Sequence, residues 1–275
     1  MTTSSGSLVV RRQLGRRLRR LRADAGKTIK NVVDARLMSQ SSLQRIEAGK
    51  TAVKIADVWA LCRFYGADGA TTDELGALAN GTSEEVWWEE YPDIVVPDWF
   101  GLYISLQATA SVIRAYHPNL VPGVLQTARY ARGVISADER LAAEVVDQRV
   151  EFRLERQRSL FGRDPEAKIT AILGAGALAM VVDSPGVMAE QIDHLRALAK
   201  EGSADVRVIP WAEGAYPMRG PFTLLDFDDP DDPTVAYAEV PKGARYMDRP
   251  EQLEEYTTVW DMMLRKSSPI ERYTP

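Results

Sequence analysis

The sequence predicts an all-α domain of five short helices up to about residue 80, followed by a larger mixed α+β domain. Three observations predict it. Short apolar segments at helical spacing, each bounded by caps or glycines, follow one another through the first 79 residues. The charge is lopsided: residues 1–65 carry 14 Lys/Arg against 4 Asp/Glu (+10), and the remainder carries 20 against 35 (−15). Beyond the polar and acidic stretch 81–90 the pattern changes, and after Pro165 strand-like runs alternate with helical ones. The expected domains are 9–80 and 85–275. A chain of 275 residues has ample length for two cores.

In the first domain, Leu14, Leu18 and Leu21 recur at helical spacing with arginines on the other faces, and Gly26 stops that helix. Thr28 is a good N-cap for a helix over about 29–35, and Ser39 for one running to about Glu47. The stretch 53–65, with Ile55, Val58, Leu61 and Cys62 inward, predicts a fourth helix, and 73–79 a short fifth. The first ten residues read as a short disordered lead without the order of a signal peptide.

The segment 28–49, TIKNVVDARLMSQSSLQRIEAG, concentrates the chemistry. Two short helices joined by a tight turn, the second with a small polar outer face, form the unit that enters a DNA major groove. Val32, Val33, Leu43 and Ile46 supply inward contacts. Gln40, Ser41, Gln44 and Arg45 face outward, and Gln and Arg suit bidentate reading of adenine and guanine edges. Ser39 at the helix start and Lys50 just past its end suit phosphates, as do Thr28 and Lys30 at the helix before. The net charge of the domain is that of a polyanion footprint.

On these residues, above all SQSSLQRIEAGK, the stretch 11–66 resembles the XRE family of helix-turn-helix regulators, which includes the phage repressors. The resemblance implies a lambda-repressor-like fold, double-stranded DNA as partner, a homodimer and transcription regulation. It puts Gln40, Ser41 and Arg45 in the base-reading places with Ser42 and Gln44 beside them, and gives Glu47 a structural role. Two positions depart from the family: Ile29 stands where a phosphate-holding Gln is usual, and Leu37 where the turn usually has Gly.

In the second domain, aromatic residues cluster at Trp87, Trp88, Tyr91, Trp99, Phe100 and Tyr103, which predicts the start of a core. Helices are expected over 104–115, 123–135 and 141–161. Strands are expected over 168–173 and 206–210, with a helix over 186–201 between them. A hairpin is expected over 222–227 and 234–239, and a last helix over 250–266. Residues 87–240, with NLVPGVLQTARYAR as the most specific motif, resemble a region of actinobacterial XRE-type regulators related to WhiJ and described as antitoxin-like. That resemblance implies a small acidic partner protein encoded nearby. Within the motif, Gln126, Thr127 and Tyr130 are candidates to line a ligand or partner pocket, or equally to hold the loop by hydrogen bonds.

Other chemistries find little support. Gly174–Ala179 reads G-x-G-x-x-A after a strand, but Pro185 leaves no room for the full helix a dinucleotide site needs. The acidic run from Asp226 to Asp232 lacks the spacing of a calcium loop. One cysteine and two distant histidines offer neither a zinc set nor a catalytic triad. No metal, cofactor or catalysis is expected, no membrane span is visible, and the cytoplasm with its nucleoid is the expected address.

Overall fold

A computed structural model describes residues 5–49, 51, 53–79, 91–92, 94–163, 166–217, 219–228, 233–241 and 243–274. Five helices come first: α1 (Ser5–Asp24), α2 (Ile29–Asp34), α3 (Gln40–Glu47), α4 (Ile55–Tyr65) and α5 (Gly69–Ala79). They enclose one core built on Leu14, Leu18, Val32, Leu43, Leu61 and Leu75. Helix α1 starts at Ser5, inside the stretch expected to be a disordered lead. Helix α5 starts four residues before the expected Asp73 because Asp68 caps it, its carboxylate accepting from the Thr71 amide at 2.7 Å. Val33, expected inward, is 36% exposed, since consecutive helical residues turn by about 100° and Val32 occupies the core direction.

Helices α1 and α3 cross at backbone contact. A Cβ on Gly15 would lie 2.3 Å from the Ile46 carbonyl oxygen and 3.0 Å from that of Glu47. Glycine inside a helix costs roughly 1 kcal/mol in propensity, so its place here is explained by the approach it permits.

The second domain is a seven-stranded mixed sheet with helices on both faces. After α6 (Asp98–Thr109) come β1 (Val112–His117), α7 (Ala128–Ser136), α8 (Ala143–Phe161), β2 (Lys168–Gly174), α9 (Ala175–Ala179), α10 (Pro185–Glu201) and β3 (Asp205–Ile209). Then follow β4 (Phe222–Asp226), β5 (Val235–Val240), β6 (Gly243–Met247), α11 (Pro250–Lys266) and β7 (Ser268–Pro269). The sheet order is β6-β5-β4-β1-β2-β3-β7. Strands β1, β2 and β3 run parallel, while β4, β5 and β6 return as an antiparallel meander beside β1.

The pleat sorts the core into two. Ile113, Ile169, Ala171, Leu173 and Leu225 face α6, α8 and α10 with Leu106, Leu160 and Leu195. Tyr116, Ile172, Phe222 and Leu224 face α11 and its Val259, Trp260 and Met263. Strands buried on both sides are expected to be continuously apolar, and β2 (KITAILG) is so from Ala171 to Gly174, after exposed Lys168 and half-buried Thr170 at its start.

Three strands differ from the sequence reading. The expected helix over 104–115 ends at Thr109, and Val112–His117 form β1 at the centre of the sheet. Pairing of β1 on both sides outweighs the helical pattern of this stretch, in which Val112 and Ile113 are β-branched. Strands β6 and β7 have no counterpart in the sequence reading. Tyr91, Phe100 and Tyr103 do pack together around Phe152 and Tyr237, whereas Trp87 and Trp88 lie outside the described residues.

The crossing at Gly15 yields a direct test. Gly15→Ala is expected to destabilise the chain by about 1–3 kcal/mol, because the added methyl meets backbone that cannot swing aside. Urea titration followed by circular dichroism measures this. A midpoint equal to or above that of the native chain contradicts the close approach.

Candidate functional site

Thr28 and Asn31 cap α2 reciprocally: the Thr28 hydroxyl accepts from the Asn31 amide at 3.2 Å, and the Asn31 side-chain oxygen accepts from the Thr28 amide at 2.8 Å. The turn that follows takes its left-handed residue at Arg36 (φ 56°), not at Leu37. Leu37 is instead half-buried against the core, so the turn is shaped one residue earlier than the family comparison of Leu37 with Gly implied. Ile29 likewise packs against the core.

Ser39 opens α3 in extended backbone (φ −73°, ψ 155°), its hydroxyl accepting from the Ser42 amide at 3.2 Å and donating to the Ser42 hydroxyl at 2.9 Å. At about 100° per residue, Gln40, Gln44, Ser41 and Arg45 occupy one continuous arc of α3, and Ile46 and Leu43 the opposite one. All four residues of the first arc are exposed, and both of the second are buried. The residues expected to read bases therefore share one face. Lys30 on α2 and Thr28 at its N-cap are exposed as well, though the Thr28 hydroxyl is engaged in the cap. Lys50 lies outside the described residues.

What holds that face in place is Glu47. Its carboxylate accepts from Arg22 Nε at 2.7 Å and Nη2 at 2.9 Å, while Arg22 Nη1 donates to the Lys27 carbonyl at 3.0 Å. Both side chains are largely buried (14% and 7% exposed). The fork thus joins the end of α1, the turn after it and the end of α3. The bond to Glu47 raises the Arg22 pKa, with burial acting against it. The arginines that look alike in sequence therefore divide in role: Arg22 is structural, Arg17 pairs with Glu74 at 3.1 Å, and Arg19 is exposed.

In the second domain, Gln126, Thr127 and Tyr130 come together around one loop. The Gln126 amide donates to the Val121 carbonyl at 2.6 Å and accepts from Arg153 at 2.6 Å. The Thr127 hydroxyl caps α7 by accepting from the Tyr130 amide, and the Tyr130 hydroxyl accepts from the Val121 amide at 3.2 Å. Two further glutamines, not foreseen from sequence, complete the loop. Gln157 donates to the Gly123 and Gln126 carbonyls at 2.8 Å each. Gln191, fully buried, accepts from the Thr127 amide and donates to the Leu125 carbonyl, both at 2.8 Å. The glycine pair after β2 serves the same loop: a Cβ on Gly174 would stand 2.6 Å from the Pro118 carbonyl oxygen. Helix α9 there is five residues long.

Asp226, the first residue of the acidic run, is the acceptor for Arg114 Nε at 3.1 Å and Nη2 at 2.9 Å, and for the Thr234 hydroxyl. It ties β1 to the hairpin. Asp229, Asp231 and Asp232 lie outside the described residues.

Compared with known families, residues 13–75 match the model described as helix-turn-helix domain, which suggests DNA binding. Residues 100–272 match the model described as domain of unknown function (DUF5753), more than half of the chain. The protein belongs to the DUF5753 family. No curated protein and no solved structure matches it. This DUF5753 chain thus joins a small helical head to a mixed-sheet body that carries the family signature.

The loop network gives a second test. Gln191→Leu keeps the side-chain volume but strands the Thr127 amide and the Leu125 carbonyl in the interior. It is expected to cost about 1–3 kcal/mol, read as a lower midpoint in thermal unfolding. A variant as stable as the native chain would mean that the loop does not depend on that residue.

Proposed function

We propose that the protein is a sequence-specific DNA-binding transcriptional regulator of the XRE type. The observation that carries this reading is the exposed arc of Gln40, Ser41, Gln44 and Arg45 on a helix whose other side is fixed to α1. The +10 charge of residues 1–65 supports it, since phosphate neutralisation supplies much of the affinity of such a head for DNA. A single eight-residue helix reads few base pairs, so two copies acting as a homodimer on half-sites about one DNA turn apart give the specificity a regulator needs.

In this reading the second domain dimerises, senses a partner protein or a small ligand, or does both. The resemblance to WhiJ-related, antitoxin-like regulators supports a small acidic partner protein encoded nearby. The chain binds rather than catalyses, needs no cofactor, and works in the cytoplasm at the nucleoid.

Fluorescence-anisotropy titration of the full chain against its preferred duplex and scrambled duplexes, at several salt concentrations, tests this. Gln40→Ala and Arg45→Ala are each expected to weaken the preferred site by about 1–3 kcal/mol and to narrow its advantage. Lys30→Ala is expected to weaken all duplexes alike and to make the salt dependence shallower by about one unit of slope. Unchanged preference in both alanine variants removes α3 from the groove.

A further inference from the structure

The second domain encloses a cavity of about 110 Å³ between the sheet and the helices above it. Its floor follows from strand register. Ala171, Ala115 and Thr223 are neighbours across β2, β1 and β4, and Tyr237 continues the row on β5. Three small side chains in a row leave space where larger ones would have filled it. Phe100 and Tyr103 of α6 close the roof, and the 122–125 turn forms a wall.

Two arginines of α8 line this space, Arg153 and Arg156. The Arg156 guanidinium lies over the rings of Phe100 (5.1 Å) and Tyr103 (5.5 Å). The residue is 8% exposed, and its Nε is buried with no hydrogen-bond partner among the described residues. Arg153 donates to Gln126, and among the described residues neither guanidinium has a carboxylate within ion-pair distance. Burial lowers the pKa of both, that of Arg153 to about 10; a guanidinium starts so far above neutrality that it keeps its proton inside proteins. His117, also in the lining, is held down to about 4 by burial and by Arg156, so it is neutral. Glu239 is the remaining charged group in the lining, and it accepts from the Tyr237 hydroxyl at 3.0 Å. Glu239 is exposed to solvent and Arg153 half-buried, so the buried end of the cavity, at Arg156, carries a positive charge that no carboxylate of the described residues meets. Buried charge without a partner is strongly unfavourable, and an orphaned buried donor calls for an acceptor.

We propose that this cavity is a binding site for a small monocarboxylate, whose oxygens take the Arg156 and Arg153 donors while a short apolar body rests on the Ala115–Ala171 floor. One unmet charge matches one carboxylate, which a guanidinium binds through two parallel hydrogen bonds. The apolar and aromatic walls favour a carbon skeleton over a bare inorganic oxyanion. A cavity of about 150 Å³ accepts the six carbons of benzene, so this smaller one takes an acid of about four or five non-hydrogen atoms. Because Arg153 also holds Gln126, a bound acid reaches the hydrogen bonds of the 121–127 loop directly. This deepens the sensing role proposed above for the second domain, and its test needs no DNA, so either can fail without the other.

The experiment is calorimetric titration of the full chain with acetate, propionate and isobutyrate, which bracket the cavity's volume, beside isobutyramide and inorganic phosphate. Saturable binding of at least one acid with a Kd tighter than about 1 mM is expected, with isobutyramide and phosphate at least about tenfold weaker. Arg156→Gln should weaken the acid at least about tenfold. Since that variant removes a buried side chain, Ala115→Val provides an independent arm: it fills the floor, leaves both arginines, and should also abolish binding in a chain with native circular dichroism. Absence of saturation with all three acids, equal binding of isobutyramide, tighter binding of phosphate, or native affinity in folded Ala115→Val each overturns the proposal.

Discussion

Helix α3 is held to α1 by two contacts a few residues apart, and the rest of the helical head is arranged around them. At Gly15 the two backbones touch, with the Ile46 carbonyl where a side chain would otherwise stand. At Arg22 a two-pronged ion pair grips Glu47. The first contact sets the distance between the helices and the second sets their rotation. Together they decide which side of α3 meets solvent. An exposed helix of eight residues has little stability of its own, so its outward face is defined only because its inward face is fixed. The small polar residues of that face are then free to be chosen for what they touch outside the protein.

The larger domain applies a related solution to a loop. The 118–127 segment carries Val121, Val124 and Leu125 into the core, which leaves its backbone amides and carbonyls without water. Gln126 from within the loop, Gln157 from α8 and Gln191 from α10 supply the missing partners. A buried polar network of this kind is costly to break, and it ties the loop to α8 through Gln157 and to α10 through Gln191. The same tight packing against α8 places Arg153 and Arg156 over a floor of small residues, which gives the domain its charged cavity.

Much of the head was legible in the sequence, because its signals are local. Thr28 and Ser39 cap the helices they were expected to cap, and the Leu43/Ile46 spacing assigns the faces of α3. Glu47 was identifiable as structural, but its partner was not, since Arg22 is one of several arginines that look alike until a fold separates them. Gly15 gave no readable signal: an interior helical glycine is explained only by what crosses it. In the body, α8, α10, α11 and the β4–β5 hairpin follow their periodicity or turn residues. Strand β1 does not, because its identity comes from neighbours distant in the chain. The Val112–Ile113 pair of β-branched residues was the local hint. The cavity had one visible trace. Arg153 stands three residues after buried Val150 and seven before buried Leu160, on the inward stripe of α8 where a charge is out of place. Only the sheet register shows that small residues lie beneath it.

The parts combine into a head in which the exposed face of α3 is fixed from behind, and a body in which the 121–127 loop, α8 and the Arg153 side of the cavity are linked by hydrogen bonds. In the function proposed above, the exposed arc of α3 reads DNA sequence. Selection from a random duplex pool by the full chain, followed by sequencing of the retained fragments, tests it most directly. Enrichment of a short motif is expected, recurring as two half-sites about one helical turn apart. Retention of the pool without any enriched motif, or no retention at low salt, would contradict it.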